Sequence, residues 1–285
     1  MRAYKHVRTR NIIAKLLYTL HMLATSMRKY SAALSSKAGL VDETFTALRL
    51  IADGKNEEAL RIAFLEEDVL GKDTHENRRA IWTRLRQRFL SDWDRAKILA
   101  KMVAGESNYD SARLFIYYAF CLSEYILYDA VIQQAYTRYV EGFTGVEISD
   151  LQAWLDSSQN EHPEIKDWSP QTRKKVLSNI LSVLRDYGLM SGVTHKKFER
   201  VFVPTSLAGY ILYSLKDRLE QFGPLTVISS PDWRLFFLDE GDVVSLLKEL
   251  TSAGHCVFQK QGEVMILDLK WQNLEEYIEA ITGKI

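Results

Sequence analysis

Cysteine is almost missing from this chain. Cys121 and Cys256 stand far apart in apolar surroundings, so neither a disulfide framework nor a thiolate metal site fits them. Buried free thiols in a reducing compartment are the expected state. The six histidines show no ligand-type pairing, which removes the usual zinc arrangements. No glycine-rich loop can cradle a phosphate: Gly71-Lys72 lacks the upstream glycine and the Ser or Thr that such a loop needs. Asp239, Glu240 and Asp242 resemble a magnesium cluster, but helix capping accounts for them more simply. Nothing sets a nucleophile beside a base. A non-enzymatic chain without metal or cofactor is therefore expected.

A long uninterrupted apolar run is also missing. The longest, Leu114 to Ile132, carries Glu124 and Asp129, both costly in a bilayer, so membrane insertion is not expected. The first residues, MRAYKHVRTRNIIAKLLYTLHMLATS, have a basic lead and an apolar middle. Lys15 and His21 interrupt that middle and no small-x-small cleavage site follows, so export is not expected and the location is read as cytoplasmic.

Net charge is absent too, with 37 Lys and Arg against 37 Asp and Glu, but the two signs are segregated. Residues 1–41 carry Arg2, Lys5, Arg8, Arg10, Lys15, Arg28, Lys29 and Lys37 without a single Asp or Glu. Residues 72–101 and 166–200 are also basic, whereas 102–165 and 205–285 are acidic. Such blocks can build a positive face on a neutral protein. With 47% hydrophobic residues the chain can bury a substantial core. We read a basic extension over 1–28, an all-helical domain over 29–145 and a winged-helix-containing domain over 146–285.

The fold class expected is mainly α, with β structure confined to hairpins near 193–203 and 255–269. Helix starts are marked by Asp42, Asn56 and Thr74, and stops by Gly54 and Gly71. The helix begun at Thr74 carries Arg78, Arg79, Arg84, Arg86 and Arg88, which serve either carboxylates of neighbouring helices or phosphates. A long helix over 110–140 is ringed by aromatic side chains on all sides, the pattern of a core helix and not of a base-stacking platform. Beyond Pro204 a helix-plus-hairpin pattern recurs, with an Asp239–Asp242 capping pair, a turn at Gln261-Gly262 and a last helix started by Asn273. That segment is acidic and reads poorly as a DNA reader.

Glu147 to Pro204 carries the most information. Ser149 is placed to cap a helix bearing Leu151, Trp154 and Leu155, and Ser169-Pro170 opens a second helix that Gly188 closes. Leu177, Ile180, Leu181, Leu184 and Tyr187 form its inner stripe, while Gln171, Lys174, Lys175, Ser178, Ser182 and Arg185 fall on the other side. A wing should follow, with Val201-Phe202-Val203 as its strand after His195, Lys196, Lys197 and Arg200. The layout is a winged helix-turn-helix, whose second helix enters the major groove while the wing touches the backbone. A solvated charged face is the better account of the helix alone; helix and wing together point to double-stranded DNA. The expected nucleic-acid-binding set is Gln171, Arg173, Lys174, Lys175, Ser178, His195, Lys196, Lys197 and Arg200, with Arg79 and Arg86 on the arginine helix.

Several segments resemble the BrxA family, the A component of bacteriophage-exclusion (BREX) defence systems. They are Lys29–Leu50, Leu70–Leu90, LRDYGLMSG at Leu184–Gly192, PDWRLFFLD at Pro231–Asp239 and NLEEYIEAI at Asn273–Ile281. The resemblance covers nearly everything from Lys29 onward. It implies a helical, cytoplasmic, non-enzymatic DNA-binding protein working beside a methyltransferase, an ATPase, a phosphatase-like and a protease-like component. It brings no catalytic residues. Two rival readings stay open: a scaffold whose winged helix grips a protein of the same complex, and an RNA-binding, antitermination-like protein.

Overall fold

The computed structural model describes residues 28–72, 74–193 and 195–283, and 66% of them are helical. Apart from Arg28, the basic extension expected over 1–28 lies outside the described residues. The described residues open with a short 3-10 turn, Ala32–Ser35, then α1 (Val41–Ala52), α2 (Glu57–Leu65) and α3 (His75–Leu85), which ends in a π turn at Arg86–Leu90. There follow α4 (Trp93–Gly105), α5 (Tyr109–Ser123), α6 (Tyr125–Val140), α7 (Ile148–Ser157) and α8 (Pro170–Asp186). The short strands β1 (Met190–Ser191) and β2 (Lys197–Phe198) pair antiparallel. The remainder is α9 (Thr205–Arg218), α10 (Pro224–Ile228), α11 (Glu240–Ser252), β3 (Cys256–Gln261), β4 (Val264–Leu269) and α12 (Leu274–Thr282).

Local chemistry sets most of these boundaries. Asn56, Thr74 and Asn273 each accept a backbone N–H of the helix they open, satisfying donors the first turn leaves free. Asp239 and Asp242 form a reciprocal capping box on α11, so their carboxylates are occupied there. Two expected caps are moved. Asp42 sits in the first turn of α1, whose cap is Leu40 in the left-handed region, and Glu147, not Ser149, is the cap residue of α7, its amide donating to Asp150.

The single helix expected over 110–140 is two. α5 and α6 meet at 108° around Glu124. Glu124 is buried there, accepting a hydrogen bond from the Ser31 hydroxyl; burial pushes its carboxyl upward, partly opposed by nearby Arg88. Among the described residues no single helix is long and apolar enough to cross a membrane, although the bent pair meets the length and composition test together. The aromatic residues of this pair belong to the core: Phe115, Tyr117, Tyr118 and Phe120 are fully buried.

One apolar core runs through the molecule from Tyr30 to Ile278. At its centre Asp232 accepts hydrogen bonds from Tyr118 (2.5 Å) and Tyr128 (2.7 Å) and pairs with Arg218. Burial pushes this carboxyl up, but Arg218 and the two phenols outweigh it and hold it below the ordinary range.

Residues 30–40 form a strap laid along α8. Near the start of α8, the Tyr30 amide donates to Glu164 (2.5 Å), its hydroxyl donates to Asp129 (2.8 Å), and its ring stacks on His162 at 3.6 Å. Further along, the Asn179 side chain donates to the Leu34 carbonyl (2.7 Å) and the Tyr187 hydroxyl to Gly39 (3.1 Å). The other edge of the strap is held by the arginine helix, through Arg84 to Ser36 and Arg88 to the Ala38 carbonyl.

Candidate nucleic-acid interface

The candidate interface expected from the sequence rests on α7, a connector, α8 and the hairpin β1–β2. α8 is amphipathic because its apolar residues recur at helical spacing. Val176, Leu177, Ile180, Leu181, Val183 and Leu184 are buried, and Ser169 caps the helix by accepting from Thr172. Gln171, Lys174 and Lys175 are exposed in the first turn and a half, and Ser178 continues the same stripe half-buried. Arg173 points elsewhere. It donates to the Ile165 carbonyl (2.9 Å) and faces Asp156 at 3.6 Å, tying α8 to the connector and to α7. Gly188, at φ +83°, then stops the helix.

Where a wing is expected there is a hairpin, but not with the strand expected. Met190 pairs with Phe198 and Ser191 with Lys197, whereas Val201-Phe202-Val203 lies outside any sheet. Its alternation is real: Val203 is buried, Val201 packs on the core and Phe202 projects into solvent. Packing alone satisfies that pattern, without a ladder. The hairpin gains a third backbone partner from the segment before α7, since the Phe198 amide donates to the Thr144 carbonyl (2.8 Å). Contact there is so close that a Cβ on Gly145 would lie 2.0 Å from the Lys196 carbonyl oxygen.

Between the hairpin turn and the start of α7 lies a cleft of about 610 Å³. His195, Lys196 and Lys197 line one side; Arg138, Phe143 and Leu181 contribute to the rest. Arg138 stacks its guanidinium over the Phe143 ring at 3.6 Å and pairs with Asp150 at 3.2 Å. The hairpin cations thus sit beside α8, and Arg200 is exposed just beyond them. The arginine helix stands apart, with the strap between α3 and α8. Arg78 pairs with Asp68 (3.1 Å), Arg84 and Arg88 grip the strap, and Arg86 reaches Glu57 only at 3.8 Å. Arg79 is exposed, with no carboxylate partner among the described residues. Arg138 and Phe143 carry no sequence signal as site residues; only the glycines at 142 and 145 mark a turn that brings them to the hairpin. Among the described residues no three His, Cys, Asp or Glu side chains come together as a metal site would require.

No curated protein matches the chain. A crystal structure of an uncharacterized protein from Magnetospirillum magneticum is similar in fold, with a TM-score of 0.56 at 18% identity, covering 71% of this chain and 98% of that one. The BrxA sequence profile matches residues 28–213, well over half of the sequence. The chain belongs to the BrxA family, the A component of bacteriophage-exclusion phage defence.

Proposed function

We propose that this chain is a non-enzymatic, cytoplasmic accessory protein that binds double-stranded DNA through a winged helix-turn-helix spanning α6 to β2. The observation that carries this reading is the order of parts around α8. An edge segment at Thr144, then α7, then α8, then a hairpin whose second strand bonds back to that edge is the winged-helix arrangement. α8 presents Gln171, Lys174, Lys175 and Ser178 outward, and the hairpin presents His195, Lys196 and Lys197 beside it. Lys174 and Lys175 lie near the positive end of α8, where phosphate is favoured. Arg173 is assigned a holding role, since its guanidinium is engaged with Ile165 and Asp156.

The test is a mobility-shift titration with duplex DNA, single-stranded DNA and RNA at two salt concentrations. Each phosphate contact contributes roughly −0.9 to the slope of log affinity against log salt. Replacing Lys174, Lys175, Lys196 and Lys197 together with Ala should flatten that slope by about two to four units and weaken binding across sequences. Unchanged affinity and slope would remove this surface from DNA binding, and a preference for RNA would favour the antitermination-like reading.

A second reading, contact with another component of the defence system, is favoured by the C-terminal end. Leu225, Val257, Val264 and Ile266 are all exposed around the outer face of β3–β4. The two readings are compatible, because they use different ends of the chain.

A further inference from the structure

We infer that the cleft between the hairpin turn and the start of α7 is a binding site for a single unpaired nucleotide. The inference rests on the DNA-binding reading for one source of that nucleotide, not for the chemistry of the recess. At about 610 Å³ the cleft falls within the roughly 300–1,000 Å³ of sites that enclose small organic ligands, and it cannot admit a duplex.

Its lining has the two halves a nucleotide requires. The flat half is Phe143, 47% exposed and stacked beneath Arg138, with buried Leu181 beside it. Aromatic rings and guanidinium planes are the surfaces on which unpaired bases stack, with little regard to base identity. The charged half is Lys196 and Lys197, with the His195 imidazole beside them. An anion in this cleft would be held by these side chains and not by the start of α7, where the Asp150 carboxylate already accepts the Glu147 amide. Glu147 also lines the cleft, one carboxylate against the two lysines.

Arg138 supplies the sharpest detail. Its Nε is buried without a hydrogen-bond partner, although its Nη2 pairs with Asp150. That pairing holds the guanidinium plane over the Phe143 ring, which fixes the flat surface lining the cleft. The recess is also pre-formed, since backbone meets backbone at Gly145 and Lys196, and Phe198 bonds to Thr144. Little ordering remains to be done when a ligand enters.

Such a nucleotide has two sources, an unpaired position within nucleic acid or a free nucleotide. The probes are a duplex with a single 2-aminopurine bulge, the same duplex fully paired, and 2-aminopurine deoxynucleoside monophosphate alone. The bulged duplex should bind roughly 5- to 150-fold tighter than the paired one, the gain from stacking one base on a ring, and its fluorescence should be quenched on binding. Phe143→Ala should abolish both effects and leave paired-duplex affinity unchanged. Should that variant melt early, Arg138→Lys, which keeps the charge and removes the plane, replaces it. Quenching by the monophosphate alone assigns the site to free nucleotides. Equal affinity for both duplexes, with no quenching by bulge or monophosphate, overturns the inference while leaving duplex binding intact. If the paired duplex does not bind at all, the DNA-binding reading fails separately, and the monophosphate decides the cleft: quenching supports the site and its absence overturns it.

Discussion

Asp129→Asn should change how the stability of this protein responds to pH, in a direction fixed by the anchor of the strap. Asp129 is buried beneath Tyr30; its Oδ2 accepts the Tyr30 hydroxyl and its Oδ1 has no partner. Burial pushes the carboxyl up from its ordinary 3.8 to about 6; the Tyr30 hydrogen bond and Arg28 pull it down, and Glu161 adds to the rise. His162 and Glu164 complete the surroundings through the Tyr30 ring and amide. With the folded-state value raised, the native state binds the proton more tightly than the unfolded chain. The contribution is therefore full below about 3.8 and is lost as pH rises through about 6. Integrating between about pH 4.5 and 7.5, the wild-type chain loses about 2 kcal/mol that the Asn variant does not lose. The amide itself carries a cost, because its NH₂ inherits the unpartnered position, but that cost is equal at both pH values and cancels from the difference. Urea unfolding of both proteins at the two pH values measures it. A wild-type-minus-variant difference that stays constant within a few tenths of a kcal/mol would refute the reasoning.

Three further outcomes follow from the geometry. Gly145→Ala forces the hairpin turn away from the Thr144 segment and should cost about 1–3 kcal/mol, read as a lower melting temperature together with weaker duplex binding. Asp232→Ala leaves Arg218 without its carboxylate and should destabilise by about 3–5 kcal/mol, whereas Tyr128→Phe, which removes one donor, should cost about 1.5–3 kcal/mol; urea midpoints rank the two. The exposed pair Arg79→Glu and Arg86→Glu should leave the melting temperature nearly unchanged, because surface ion pairs contribute roughly 0–1 kcal/mol. If these arginines touch phosphate, the same variant flattens the salt slope of duplex binding by about two units; an unflattened slope confines the interface to α8 and the hairpin.

The sequence is most legible where a few neighbouring residues decide the outcome. Asn56, Thr74, Ser169, the Asp239–Asp242 pair and Asn273 each cap a helix, as their side-chain chemistry predicts. The buried stripe of α8 and the hairpin turning at Gly262 follow equally from periodicity and turn chemistry. What stays hidden depends on distant partners. The bend at Glu124 arises in a run that reads as continuous helix, and the partner of Glu124, Ser31, lies 93 residues away. Val201-Phe202-Val203 alternates as a strand should, but its inward residues meet a core and no second strand. The cleft needs the 143–149 segment against a hairpin about 50 residues later, so neither half announces it. Arg173 is the instructive case within the site: its charge reads as a DNA contact, and only the position of Ile165 shows where its guanidinium is engaged.

The strap has a consequence for synthesis on the ribosome. Leu34 is covered by Asn179 and Gly39 by Tyr187, contacts separated by 145 and 148 residues. Translation proceeds at about 5–20 residues per second, so the strap waits roughly 7–30 s before the helix that covers it has been made. During that interval Tyr30 and Leu34, both buried in the finished protein, remain open to solvent and to chaperones. Helices α1 to α6 can assemble locally in the meantime, but closing so long a loop is slow and comes late. The strap is thus a register of completion: the α7–α8 connector is pinned only once Glu164 is made, α8 is flanked only once Asn179 is made, and the last contact closes only in chains translated through Tyr187.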